Sequence, residues 1–185
     1  MSLTYKKEDT QTFAKKVLGN SYDIDYLSFD EPENTNNFDL VSKDKKTVVE
    51  ITLVITENEK YVVEYEVNYF KGKKLKKNED SSFVYDRDGR LRFYADNSEN
   101  LFNSVKKAIE IKNEKAKKRM CANIEKYELC LLVSDGGIFD KLFVEQLISF
   151  TDKIVFNKIF VITSRAFFVI DVKNKKVKEY ERKIN

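Results

Sequence analysis

The stretch Phe38-Asp39-Leu40-Val41-Ser42-Lys43-Asp44-Lys45-Lys46-Thr47-Val48-Val49-Glu50-Ile51-Thr52 decides how the chain folds. Two apolar runs flank a polar, lysine-rich break, which is the pattern of a β-hairpin. With Asp44-Lys45 at the centre of the turn, Ser42 lies opposite Thr47, Val41 opposite Val48, Leu40 opposite Val49 and Asp39 opposite Glu50. Side chains alternate between faces along a strand. One face then carries Phe38, Leu40, Val49, Ile51 and Leu53, and the other carries Asp39, Glu50 and Thr52. A slip of one residue would mix polar groups into the apolar face, so the hydrophobic pattern specifies the register. Directly opposed carboxylates, with Cβ atoms about 4.5–5.5 Å apart, destabilise a sheet. Asp39 and Glu50 therefore need a bound cation, a lysine or solvent between them.

Outward from the hairpin, composition narrows the chemistry. The 185 residues suit a single domain, 1–185, and the 35% charged and 42% hydrophobic residues are an ordinary globular balance. Lys plus Arg (34) nearly cancels Asp plus Glu (31), and a net charge of +3 leaves nucleic-acid binding to a local patch. The chain has no histidine, which excludes a Ser-His-Asp triad, a Cys-His pair and histidine zinc sites. Carboxylates and lysines remain as the reactive groups. Cys121 and Cys130 lack metal-ligand spacing and imply no disulfide framework. The apolar runs are strand-sized, so no membrane span is expected. Met1 to Lys7 has no signal-peptide core, and a cytoplasmic protein is expected.

In chain order, Asp9-Thr10 with Phe13, Ala14, Val17, Leu18 and then Gly19 reads as a short amphipathic helix ended by the glycine. Tyr22 to Phe29 reads as a strand, and residues 31–37 as a loop. After the hairpin, Tyr61 to Phe70 alternates apolar and polar residues and reads as a further strand. Paired with Ile51–Ile55, it would add Glu66 to a row with Asp39 and Glu50. Lys71 to Lys77 is a basic run, and Phe83 to Tyr94 a second hairpin with Asp88-Gly89 as a two-residue turn. Residues 56–97 thus form a β-rich insertion with an inserted hairpin.

From Ser98 to about Tyr127 the pattern is helical, with Leu101, Val105, Ala108, Ile109, Ala116, Met120 and Ile124 forming a stripe. Lys112 and Asn113 interrupt that stripe on its inward turn. Leu129 to Val133 is a continuous apolar run, as in a strand covered on both faces. A helix from about Phe139 to Phe150, strands at Lys158–Thr163 and Ala166–Val172, and an edge strand at Val177–Tyr180 complete an α/β (α+β) domain.

The element order, with Asp39 and Glu50-Ile51-Thr52, resembles the PD-(D/E)XK nuclease superfamily, the restriction-endonuclease-like fold. Phe38-Asp39 stands for its Pro-Asp, and Glu50-Ile51-Thr52 for its Glu-x-Lys, with threonine in place of the lysine. Some lineages carry Glu-x-Thr there and lysines three apart on the following helix, which Lys112 and Lys115 resemble. The resemblance implies a three-layer core, a mixed central sheet flanked by helices. It also implies metal-dependent hydrolysis of nucleic-acid phosphodiesters, with Asp39 and Glu50 as ligands for Mg²⁺ or Mn²⁺. Thr52 and Lys112 complete the implied catalytic set, and Lys73, Lys74, Lys76, Lys77 and Lys115 are candidate phosphate contacts. Lys112 is expected to point at the sheet and take the place of the missing lysine. The alternative is a catalytically inactive relative serving as a binding or accessory module. Oligomeric state is left open.

Overall fold

A computed structural model describes residues 7–32, 38–56, 59–61, 64–65, 71, 83–85, 91–93, 98–133 and 141–183. Helix α1 (Lys7–Ser21) leads through a 3₁₀ turn (Ile24–Ser28) into strands β1 (Leu40–Val41) and β2 (Thr47–Val54). A separate two-stranded pair, β3 (Phe83–Tyr85) and β4 (Leu91–Phe93), precedes the long helix α2 (Ser98–Arg119). Then follow β5 (Lys126–Val133), α3 (Lys141–Leu147) with a 3₁₀ extension (Ile148–Lys153), β6 (Lys158–Ile162), β7 (Phe167–Asp171) and β8 (Lys176–Tyr180). The main sheet has the order β1-β2-β5-β6-β7-β8, parallel from β2 through β6 and antiparallel outside. The fold is mixed α/β.

Two buried clusters cover the two faces of the sheet. Ala14, Val17 and Leu18 of α1 pack on Leu40, Val49, Ile51, Cys130, Leu132 and Phe160. Leu101, Val105, Ile109 and Ala116 of α2, with Val144 and Leu147 of α3, pack on Val48, Leu129, Leu131, Ile159 and Val161. Strand β5, buried on both sides from Tyr127 onward, is apolar for that reason, with Glu128 the one exception.

The hairpin register is the one expected, Leu40 with Val49 and Val41 with Val48. Asp44 fixes the turn by accepting from Ser42 Oγ (2.6 Å) and Lys46 N (3.0 Å), and Lys45 takes a left-handed conformation (φ 58°). Phe38 departs from the expected face. It joins the α2 side, edge-on to Tyr127 at 5.7 Å, because Asp39 is a bend and not a strand residue.

Other expectations are corrected too. Tyr22–Phe29 is no strand: Asp23 caps a 3₁₀ turn by accepting from Asp25 N (3.1 Å), and Tyr26 and Phe29, three apart, stack inward at 4.8 Å. Asp30 alone keeps a bridge to Val41. Gly19 does not end α1, which runs on to Ser21; a Cβ there would clash with the Leu27 side chain, so the glycine admits the 3₁₀ turn against the helix.

Of Tyr61–Phe70, the described residues 61 and 64–65 are helical, as are Glu59 and Lys60, while Glu66 lies outside the described residues. A capping box overrides the alternating pattern, with Glu59 N donating to Thr56 Oγ1 (3.2 Å) and Thr56 N to a Glu59 carboxylate oxygen (2.7 Å). The described residues of 56–97 thus include this helical segment as well as the β3–β4 pair. In the second hairpin Tyr85 faces Leu91, whereas a two-residue Asp88-Gly89 turn needs it opposite Arg92; the turn itself lies outside the described residues. Helix α2 stops at Arg119, eight residues early, since the chain must reverse to enter β5. Cys121 N caps that reversal by donating to Tyr127 Oη (2.9 Å), leaving Met120 exposed.

Candidate functional site

Glu50 lies mid-strand on β2, between β1 and β5, with its side chain on the face that α2 covers and only 3% exposed. A buried carboxylate needs charge and hydrogen-bond partners. Helix α2 supplies two. Lys112 Nζ donates to Glu50 Oε2 at 2.6 Å, and Arg119 donates to Glu50 Oε1 at 2.8 Å. The same ammonium stands 3.7 Å from Asp39 Oδ2. The stripe interruption read from the sequence thus places Lys112 between both carboxylates, and its companion Asn113 turns inward too. Asn113 Oδ1 accepts from Val155 N at 2.8 Å and ties α2 to the loop before β6.

Asp39 is held by the backbone. Its N–H donates to Val49 O (3.1 Å) and its Oδ2 accepts from Ile51 N (2.7 Å), taking a donor that a longer β1 would have paired. Gln11 of α1, itself buried, donates from Nε2 to Asp39 Oδ1 at 3.1 Å and to the Asp39 carbonyl at 3.2 Å. Each of the four carboxylate oxygens thus has a named partner. The neighbouring Cys130 thiol is pushed up by burial first and by Asp39 second, so it stays protonated and inert.

Thr52 lies half-buried two residues beyond Glu50 on the same strand face. Lys115 is exposed on α2. Lys73, Lys74, Lys76 and Lys77 lie outside the described residues. Arg119 and Gln11 were not singled out in the sequence. Arg119 had a signal: it follows Lys112 by seven residues, two helical turns, so both share a face. Its guanidinium also sits 6.0 Å from the Phe38 ring.

A second polar cluster was missed on the other face. Glu128, 1% exposed, accepts from Tyr26 Oη at 2.6 Å and has Lys158 Nζ at 3.8 Å. Burial raises the Glu128 carboxyl above its usual range, and burial, then Glu128, raises the Tyr26 hydroxyl far above its own. Each polar group here has a partner inside the cluster, which gives it a structural character.

Among the described residues no group of three or more Asp, Glu, His or Cys side chains is placed to hold a metal ion. Any cation at Asp39 and Glu50 would thus have two carboxylates and water, a hard-oxygen set suited to Mg²⁺ or Mn²⁺ and not to zinc. Among the described residues no helix is long and apolar enough to cross a membrane. Compared with family models, curated proteins and solved structures, the chain matches none.

Proposed function

We propose that the domain is a nuclease of the PD-(D/E)XK type, hydrolysing nucleic-acid phosphodiesters with a divalent cation. The observation that carries this reading is the Lys112 ammonium, 2.6 Å from Glu50 Oε2 and 3.7 Å from Asp39 Oδ2. One cation already contacts both acids, so the pair of carboxylates suits a divalent cation beside the ammonium. Each Glu50 oxygen still has a lone pair beyond its present bond. The parallel β2–α2–β5 unit around Glu50 is what the resemblance implies, although the first meander strand is reduced to the Asp30 bridge.

In this reading Asp39 and Glu50 hold the cation. Bound there, it supplies acidification of water and neutralisation of phosphate charge. Lys112 does the work assigned elsewhere in the family to the lysine that Thr52 replaces. Its ammonium, preorganised in a mostly buried pocket, stabilises negative charge developing on the phosphate or orients the attacking water. Asp39, fixed by Ile51 N and Gln11, keeps its position while this happens.

One observation favours the inactive-module alternative. Arg119 brings a second positive charge to Glu50, so that Lys112 and Arg119 together balance Asp39 and Glu50. Cleavage assays separate the readings. Purified protein is incubated with single- and double-stranded DNA and RNA in Mg²⁺ or Mn²⁺, alongside Glu50→Ala, Lys112→Ala and Lys115→Ala. Loss of cleavage in the first two is expected, with a much smaller effect in Lys115→Ala. Cleavage that survives Lys112→Ala removes the catalytic role. Absence of cleavage on every substrate favours the binding module.

A further inference from the structure

We infer that Arg119 is a phosphate receptor that exchanges partners. Without ligand it holds Glu50; a nucleic-acid phosphate draws it away, so phosphate and divalent cation bind cooperatively. This inference rests on the nuclease reading. The charge count motivates it: Asp39 and Glu50 carry two negative charges, and Lys112 and Arg119, within ion-pair distance, carry two positive ones. A divalent cation approaching alone meets a neutral cluster and two like charges, which weakens its binding.

Of the two basic residues, Arg119 is the one placed to move. It is the last residue of α2, and its side chain is 31% exposed against 15% for Lys112 and 3% for Glu50. A ligand arriving from solvent meets the guanidinium first. Its planar fork of donors matches a phosphate bidentately, which a lysine cannot do. The Phe38 ring, 6.0 Å away, keeps the cation beside the site as it changes partner. Departure of Arg119 frees Glu50 Oε1 and leaves the cluster net negative, which favours the metal. Linkage is reciprocal, so the metal must favour phosphate binding by the same factor.

The test measures Mn²⁺ binding to the full chain by electron paramagnetic resonance, with and without a short phosphorothioate DNA that resists cleavage. Wild type should bind Mn²⁺ weakly alone and about fivefold or more tighter with the oligonucleotide. Arg119→Ala should bind Mn²⁺ tighter alone, bind the oligonucleotide more weakly, and show no coupling. Arg119→Lys, which keeps the charge without the fork, should retain part of the coupling. Matching circular-dichroism melts check that the variants fold. Unchanged Mn²⁺ affinity and coupling in Arg119→Ala overturn the inference. If Glu50→Gln still abolishes Mn²⁺ binding in that case, the nuclease reading stands without it. Wild type that binds no Mn²⁺, with or without DNA, overturns both.

Discussion

Replacing Lys112 with methionine deletes one charge from the cluster and keeps most of the stem. Removing one partner of a buried ion pair typically costs about 3–5 kcal/mol, because the other charge is left uncompensated. Here Arg119 still holds Glu50 Oε1 at 2.8 Å, so the cost falls nearer that of one charge-assisted hydrogen bond, roughly 1.5–3 kcal/mol. The Lys112 side chain is 15% exposed, so water replaces part of the interaction. A destabilisation of about 2 kcal/mol is expected. For a chain of this length that lowers the melting temperature by about 4–8 °C.

The same deletion leaves Asp39, Glu50 and Arg119 with a net charge of −1, so Mn²⁺ should stabilise the variant more than the wild type. At about 100 times its dissociation constant the metal returns about 2.7 kcal/mol. Thermal melts followed by circular dichroism, with and without Mn²⁺ and with choline as the ionic-strength control, measure both effects. A variant as stable as wild type refutes the Lys112–Glu50 ion pair. A destabilised variant that Mn²⁺ does not rescue refutes the cation site and leaves a purely structural ion pair.

Three further outcomes follow from the same geometry. Gln11→Leu removes both bonds to Asp39 and should cost roughly 2 kcal/mol in urea unfolding, with cleavage falling along with it; unchanged stability would show that Asp39 does not depend on α1. Burial holds the folded Glu128 carboxyl above its unfolded value, so the folded state binds more protons in the window between the two. Stability therefore falls as pH rises through that window, and Glu128→Gln should flatten this part of the stability–pH curve; parallel curves would count against it. Replacing Lys73, Lys74, Lys76 and Lys77 together should flatten the salt dependence of DNA binding, by a slope of about 0.9 for each phosphate that is no longer neutralised, whereas an unchanged slope makes the run a solvated loop.

The hairpin was legible because alternation on both sides of the turn left one register without polar groups in the core. Lys112 was legible because a polar residue in an apolar stripe must have something to face. Arg119 hid at the edge of the stripe among the other basic residues of α2, where only its two-turn spacing from Lys112 marks it. The misread segments were short ones in which side chains capture the backbone. Asp23 caps a 3₁₀ turn where apolar content suggested a strand, and Thr56 with Glu59 starts a helix where tyrosines and valines alternate. Tyr61 and Tyr65, read as strand neighbours on one face, meet equally well at i and i+4, with ring centroids 6.3 Å apart. Glu128 was opaque because its partners Tyr26 and Lys158 come from distant stretches of the chain.

The two acids of the cluster are held in different ways, and that difference bears on what the site can do. Asp39 is held by backbone groups of β2 and by a side chain of the opposite layer: the Val49 carbonyl, the Ile51 amide and the buried Gln11. Its carboxylate takes a sheet donor, and β1 is only two residues long where it does so. Glu50 is anchored through its backbone in β2, but its carboxylate meets long basic side chains from α2, both with other places to go. Lys112 has Asp39 within 3.7 Å, and Arg119 has solvent and the Phe38 ring. On the nuclease reading, a ligand that enters would change the partners of Glu50 and leave Asp39 in place. A purely structural ion network gains nothing from such an asymmetry. A site that must exchange its own cations for a metal and a phosphate needs one rigid acid to set the position and one adjustable acid to release it.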